Sequence, residues 1–323
     1  MTHAVELPAL DGRDALGFLA GLGVLRLLTE EARIEARISF NGTSACAILH
    51  SPLRSIESLV EAIAEVIDAI PDNGVIPAAP PAFPLAKTGS EPDPMRMPRD
   101  RLRQTIEQIT GDERGPDLGR WFAALVTDLA VDAKGRAALT PYTAPAGQQS
   151  LRSFFTRPLD EVRKNPRLLI SEALTRWRRV DDYTGEYLDH RVLRSAADHP
   201  SGKSVEAGVP GATWLAVMAF PLLRLTGTGS SPQATLWHTV PGRRQALMVW
   251  PLWQQPLNTH AVSALLEHPA LRPRVTAEGV AVARACWPPL GVFAVAGASR
   301  QGVEGRKSAG VLAPITIRTT EIF

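Results

Sequence analysis

Residues 5–28 read VELPALDGRDALGFLAGLGVLRLL, and this stretch sets the expectation for the fold. Val5 to Leu10 alternates weakly, as a short strand does, then Asp11-Gly12 makes a turn and Asp14 is suited to cap a helix. The spacing predicts a helix over 15–31. Its apolar residues Phe18, Leu19, Leu22, Val24, Leu25, Leu27 and Leu28 surround the axis instead of forming one stripe, which is the pattern of a buried helix. Gly17 and Gly21 lie four apart on one face and permit close approach of another backbone. Each costs about 1 kcal/mol against alanine inside a helix, so tight packing is the expected compensation.

Working outward, ARISF (36–40) and ACAILH (45–50) are β-rich runs joined through Asn41-Gly42, a strong hairpin signal. Ile56, Leu59, Val60, Ile63, Val66, Ile67 and Ile70 then recur at helical spacing up to Pro71. Strand, helix, hairpin, helix is the order of an α+β fold, with helices covering mixed antiparallel sheets. The eight prolines between Pro71 and Arg101 mark a loop or linker. Two lobes are therefore expected: 1–70, an N-terminal α+β lobe, and 102–323, a C-terminal α+β lobe with arginine-rich helices, separated by the proline-rich 71–101. Within the second, helices are expected near 102–109 and 118–126, a hairpin from 125, and two helices over 148–179 broken at Asn165-Pro166. Beyond these come a helix over 214–225, strands at ATLWHTV and QALMVWPLW, a helix over 259–267, and strands near 291–296 and 311–317.

At 323 residues and 45% hydrophobic content the chain can bury one large core or two moderate ones. The longest apolar stretch, 16–28, is broken by three glycines and Arg26 and is too short to span a bilayer. With no secretory pattern at the start and only Cys46 and Cys286, far apart, a cytoplasmic location is expected, and both cysteines are expected to fill core space. The net charge of +2 is only mildly basic, but its distribution is uneven. Ten cations stand against seven acids between Arg152 and Arg194.

No catalytic signature is found. Asp189-His190 and Asp198-His199 lack metal-ligand spacing, so no metal and no cofactor is expected. Residues 297–310, GASRQGVEGRKSAG, carry glycines and end in a basic run, yet Val303 stands where a phosphate-binding loop needs lysine. They read as a basic turn between strands, or as a hold on a phosphodiester backbone through Arg300, Arg306 and Lys307. Trp177, flanked by Arg176, Arg178 and Arg179 and near Tyr183 and Tyr187, has the composition of a backbone-and-base reader. The competing reading is a solvated cationic helix face, with the tryptophan in the core and salt bridges to Asp160, Glu161 and Glu172.

The segment 7–28, through Leu10, Gly12, Leu16, Phe18, Leu19, Gly21, Leu22, Gly23, Leu25, Arg26 and Leu28, resembles the N-terminus of the type I-G (formerly I-U) CRISPR-associated protein family. Ala15 stands where that family usually has proline. The stretches AFPLAKTG, TPYTAPAGQQSLRSFF, GEYLDHRVLRSAADHPSGKSVEAGVPGATWLA and EGRKSAGVLAP resemble an actinobacterial group in that neighbourhood, large-subunit-like or an extension of the helicase-nuclease. The resemblance implies a non-enzymatic subunit of an RNA-guided interference complex in antiviral defence. Its implied partners are the effector-complex subunits and guide RNA or target DNA, with no membrane. Sequence is read there by guide pairing while protein holds backbones in a positive channel. The phosphate contacts it implies are Arg152, Arg157, Arg176, Arg178, Arg179, Arg191, Arg194, Lys203, Arg306 and Lys307, with 144–153 shaping the groove. Two other readings stand beside it. One is a protein-interaction scaffold using the tryptophan-rich 237–253. The other is an enzyme with a site around Asp189, His190, Asp198, His199 and Lys203.

Overall fold

The computed structural model describes residues 2–89, 91–110, 115–143, 149–194, 204–241, 246–276, 279–302 and 310–321. Its helices of two turns or more, among these residues, are α1 (Ala15–Arg26), α2 (Ile56–Asp68), α3 (Arg99–Thr110), α4 (Gly115–Leu125), α5 (Leu151–Arg163), α6 (Pro166–Thr175), α7 (Pro210–Met218) and α8 (Thr259–Leu266). The sheets are small and almost entirely antiparallel, which makes the fold α+β.

The opening strand forms at His3–Asp11 and pairs with Cys46–Ser51, which pairs in turn with Arg37–Phe40. Asn41 closes the hairpin: its Oδ1 accepts from the amides of Thr43 and Ser44 at 2.8 and 3.1 Å. Asp14 caps α1 by accepting from the Leu16 amide at 3.0 Å, and all twelve residues of α1 are buried. The helix then widens into a π-turn, Leu27–Glu31. That turn brings Glu30 and Glu31 around the buried Arg26, whose Nε and Nη2 lie 2.9 and 2.6 Å from them. Arg26 also stacks on Trp121 of α4 at 4.8 Å, so two carboxylates and an aromatic face offset the charge of this interior cation.

Close backbone contact in α1 comes chiefly from Gly23. A Cβ at Gly23 would lie 1.7 Å from the Leu215 carbonyl oxygen, so α1 and α7 cross at a distance that only glycine permits. Gly17 backs onto the Asp11 carbonyl instead, and Gly21 meets side chains of Ile38 and Ala47. On its other side α7 meets α6 through Gly211, where a Cβ would stand 2.2 Å from the Leu169 carbonyl oxygen. α7 begins earlier than the periodicity implies, because Pro210 suits the first helical position. It stops at Met218, and a 3₁₀ turn over Phe220–Leu222 follows.

The strands Trp237–Thr239, Ala246–Trp253, Val292–Gln301 and Val311–Pro314 form one sheet in that order. This sheet and the N-terminal sheet share a single core. Phe18 sits among Phe40, Trp250 and Trp253 at ring separations of 5.8, 5.5 and 6.2 Å. The Trp250 and Trp253 indoles donate to the carbonyls of Gly12 and Ile38 at 2.7 and 2.9 Å. One contiguous set of buried side chains runs from Val5 to Leu312, through both segments flanking 71–101. The proline-rich segment is itself packed down: Val75, Ile76, Phe83, Met95 and Met97 are buried, and Phe83 meets Phe122 of α4 at 4.9 Å. Of the two cysteines, Cys46 is half-buried and Cys286 is exposed, so Cys286 is not a core filler.

Two C-terminal features depart from the sequence expectation. The stretch 311–317 is not one strand: Val311–Pro314 joins the four-stranded sheet, while Ile317–Thr320 belongs to another. That second sheet also contains Arg274–Thr276 and Gly279–Ala283, strands not anticipated, with Ile317–Thr320 running parallel to the latter. Among the described residues no helix is long and apolar enough to cross a membrane.

Candidate nucleic-acid interface

The arginine-rich segment occupies α5, α6 and the irregular chain after them, and its members have different fates. Arg152, in the first turn of α5, donates through Nη1 to the carbonyls of Pro81 and Pro84, both at 2.9 Å, and through Nη2 to that of Asn73 at 2.7 Å. Its guanidinium ties the proline-rich segment to the helix. Arg179 donates to the Asp189 carboxylate at 2.5 Å and to the Ala207 carbonyl at 2.8 Å. Arg191 bridges Asp189 and Asp14, and it lies 4.9 Å over the Trp177 ring. Arg178 pairs with Glu172 at 2.7 Å. Arg157 and Arg176 are exposed, on α5 and at the end of α6. Arg194 holds a position in the strand Leu193–Arg194, paired with Val205. Lys203, Arg306, Lys307, Asp198, His199 and positions 144–148 lie outside the described residues.

The aromatic half of the expected reader is largely withdrawn from solvent. Trp177 donates its indole N–H to the Ala173 carbonyl at 3.0 Å, packs against the core and is covered by Arg191. Tyr183 and Tyr187 are buried. The three tryptophans of 237–253 are interior too: Trp237, Trp250 and Trp253 are 8%, 1% and 0% exposed, so they do not form an apolar docking surface. For Trp177, Trp250 and Trp253 the cause is the same. Aromatic side chains gain most from burial when their N–H finds a carbonyl, and Ala173, Gly12 and Ile38 supply those carbonyls.

Asp14, Asp189 and His190 converge within 4.8 Å of one another. The two carboxylates are already engaged by donors of the chain. Asp14 holds the α1 cap and Arg191, while Asp189 holds the Arg191 amide and both guanidiniums. Burial pushes Asp189 up, but Arg179 and Arg191 outweigh it and keep the carboxyl below the usual range. Burial raises Asp14 against the pull of Arg191. A cation entering here would have to displace a bonded guanidinium, so the arrangement works as an internal ion network that fastens α1 to the chain at 179–191.

A second buried polar group sits next door. Gly185, Glu186 and Tyr187 all take left-handed backbone, at φ 55, 51 and 57°. Glu186 is 1% exposed, accepts from the Gln149 amide and leaves Oε1 unpartnered. Burial lifts its carboxyl to about 7, against the opposing field of Arg157. Behind it, Arg300 donates to the carbonyls of Tyr142, Tyr187 and Gly310 at 2.6, 2.9 and 3.0 Å. Burial lowers Arg300 to about 9, which still leaves it charged at neutral pH. Arg300 therefore does not face a phosphate. It binds three chain segments together.

The cations that no inspection of 152–194 would have found lie on the C-terminal three-stranded sheet. The register places Arg274 and Arg318 directly opposite Ala281, one on each side, so both arginines share a face. Thr276, Gly279, Ala283 and Thr320 complete that face, and Arg274, Thr276, Arg318 and Thr320 are exposed. The opposite face, Val280 and Val282 with Ile317, is turned to the core. Among the described residues no carboxylate pairs with Arg318. Arg272 precedes this sheet, and Arg284 follows its central strand, 5.4 Å over the Trp287 ring. The signal was present in the alternation of 274–283, where Arg274, Thr276, Ala281 and Ala283 interleave with Val275, Val280 and Val282 around a glycine turn. No protein-family model matches the chain, and no curated protein matches it.

Proposed function

We propose that this chain is a non-enzymatic, nucleic-acid-binding subunit of a type I-G CRISPR interference complex. The observation that carries the binding half is the open sheet face on which Arg274 and Arg318 flank Ala281. The small residue between them leaves a shallow floor, and the guanidiniums on either side suit phosphate oxygens. A polynucleotide backbone lying across such a face would be held without sequence readout, the role left to protein where a guide pairs with its target. Arg157 on α5 and Arg176 at the end of α6 are further exposed cations, and with Arg194, Lys203, Arg306 and Lys307 they are further phosphate contacts in this reading. The complex half is supported by the resemblance of residues 7–28. That segment has a structural part: it forms the end of the half-buried opening strand and the buried α1, with the exposed Arg13–Asp11 pair between them.

The experiment has two arms. Binding of labelled single-stranded DNA, duplex DNA and RNA is measured from 50 to 300 mM salt, and the chain is purified with the products of its neighbouring genes and a guide. The expected result is binding whose logarithm falls linearly with log salt, together with recovery in one guide-containing assembly. Absence of binding to all three at 50 mM salt would sink the first half. Failure to enter the assembly would sink the second.

A further inference from the structure

A cavity of about 700 Å³ opens between the four-stranded sheet and the end of α8. Its size falls within the range of small-ligand sites. The walls are of two kinds. Leu236, Trp237, Val249 and Val295 give apolar surface, and Arg224 and Arg272 give positive charge. Gln233, His238 and Thr239 add donors and acceptors. Glu267 takes up part of the charge of Arg224, whereas Arg272 has no carboxylate partner among the described residues. His238 is held neutral, because burial and then the field of Arg272 lower it to about 4. Its imidazole can therefore both donate and accept at pH 7. Leu236, which turns the chain into this wall, is held at φ 72°, an uncommon conformation for a leucine.

A ligand that satisfies both kinds of wall has a flat apolar body, hydrogen-bonding edges and an anionic end. We propose that this cavity binds a nucleoside monophosphate unit, its base against Trp237 and its phosphate toward Arg272. The unit could be a free nucleotide or one residue of a single strand. The cavity lies on the other side of the three-stranded sheet from the open face: Val275, which lines it, alternates with Arg274 along the same strand.

The test is calorimetric titration with the four ribonucleoside 5′-monophosphates, adenosine, inorganic phosphate and a short single-stranded oligonucleotide. At least one monophosphate is expected to bind one to one, at least about tenfold more tightly than adenosine or inorganic phosphate, since it engages both walls. Arg272→Glu, at an exposed position, is expected to weaken it by about tenfold or more. Thr226→Trp, which adds bulk to the lining from a half-buried position, is expected to abolish it. Circular dichroism verifies that both variants stay folded. Binding of the oligonucleotide alone, lost in Thr226→Trp, assigns the unit to a strand. Inorganic phosphate binding as tightly as the nucleotide would overturn the proposal, as would nucleotide binding indifferent to both folded cavity variants or no binding by any probe.

Discussion

Replacing Glu186 by glutamine tests the buried polar network on a quantity that can be worked out beforehand. The folded protein holds this carboxyl at about 7, where the unfolded chain holds it near 4.5. Below pH 4.5 both states carry the proton. Between 4.5 and 7 only the folded state does, so stability contributed by this group is lost as pH rises through that window and then levels off. Between pH 5.5 and 8 the loss is about 2 kcal/mol, from a conversion of 1.36 kcal/mol per decade. Glutamine has nearly the same shape, accepts the same bond from Gln149 and does not titrate. In urea denaturation at pH 5.5 and pH 8, the stability of Glu186→Gln relative to the parent should rise by about 2 kcal/mol at the higher pH. Other titrating groups are common to both proteins and cancel in the difference. A relative stability that does not change between the two pH values would refute the assignment of Glu186 as a buried acid held protonated by desolvation.

Three further outcomes follow from packing and charge. Gly23→Ala drives a methyl group into the Leu215 carbonyl, and should lower the unfolding free energy by about 3 kcal/mol, read as a reduced urea midpoint. Arg152→Gln removes charged hydrogen bonds to three carbonyls, and should cost about 2 kcal/mol while making 71–98 susceptible to limited proteolysis; unchanged cleavage would contradict its role as a tether. Millimolar Mn²⁺ should leave the thermal midpoint within about 1 °C, because Asp14 and Asp189 are committed to Arg179 and Arg191. A clear upward shift would show that the carboxylates are available after all.

Much of the fold could be read where the signal is local. Asn41 bonds its own turn, Ser55 caps α2, and Asn165 caps α6 ahead of Pro166, so each element declares itself within a few residues. What could not be read depends on partners remote in sequence. Arg152 looks like a surface cation until Asn73, 79 residues away, accepts from it, and Arg191 does so until Asp14 closes from 177 residues away. Trp250 looks like an interface residue until Gly12 supplies its carbonyl. The strand Ile317–Thr320 pairs parallel with Gly279–Ala283 across the intervening strands, and no local turn announces such a pairing. Charge density along the chain therefore pointed to 152–194, where folding neutralises several of the arginines. The shared face of Arg274 and Arg318 emerges only once the register is known.

The most direct measurement compares the salt dependence of nucleic-acid binding for the parent chain, the double variant Arg274→Glu/Arg318→Glu and the control Arg178→Glu, which alters an arginine already paired with Glu172. If the sheet face holds phosphates, the double variant binds far more weakly and its log–log salt slope is shallower by about 2, while the control keeps a slope close to the parent's. Equal slopes for all three proteins would contradict the assignment of that face to nucleic acid.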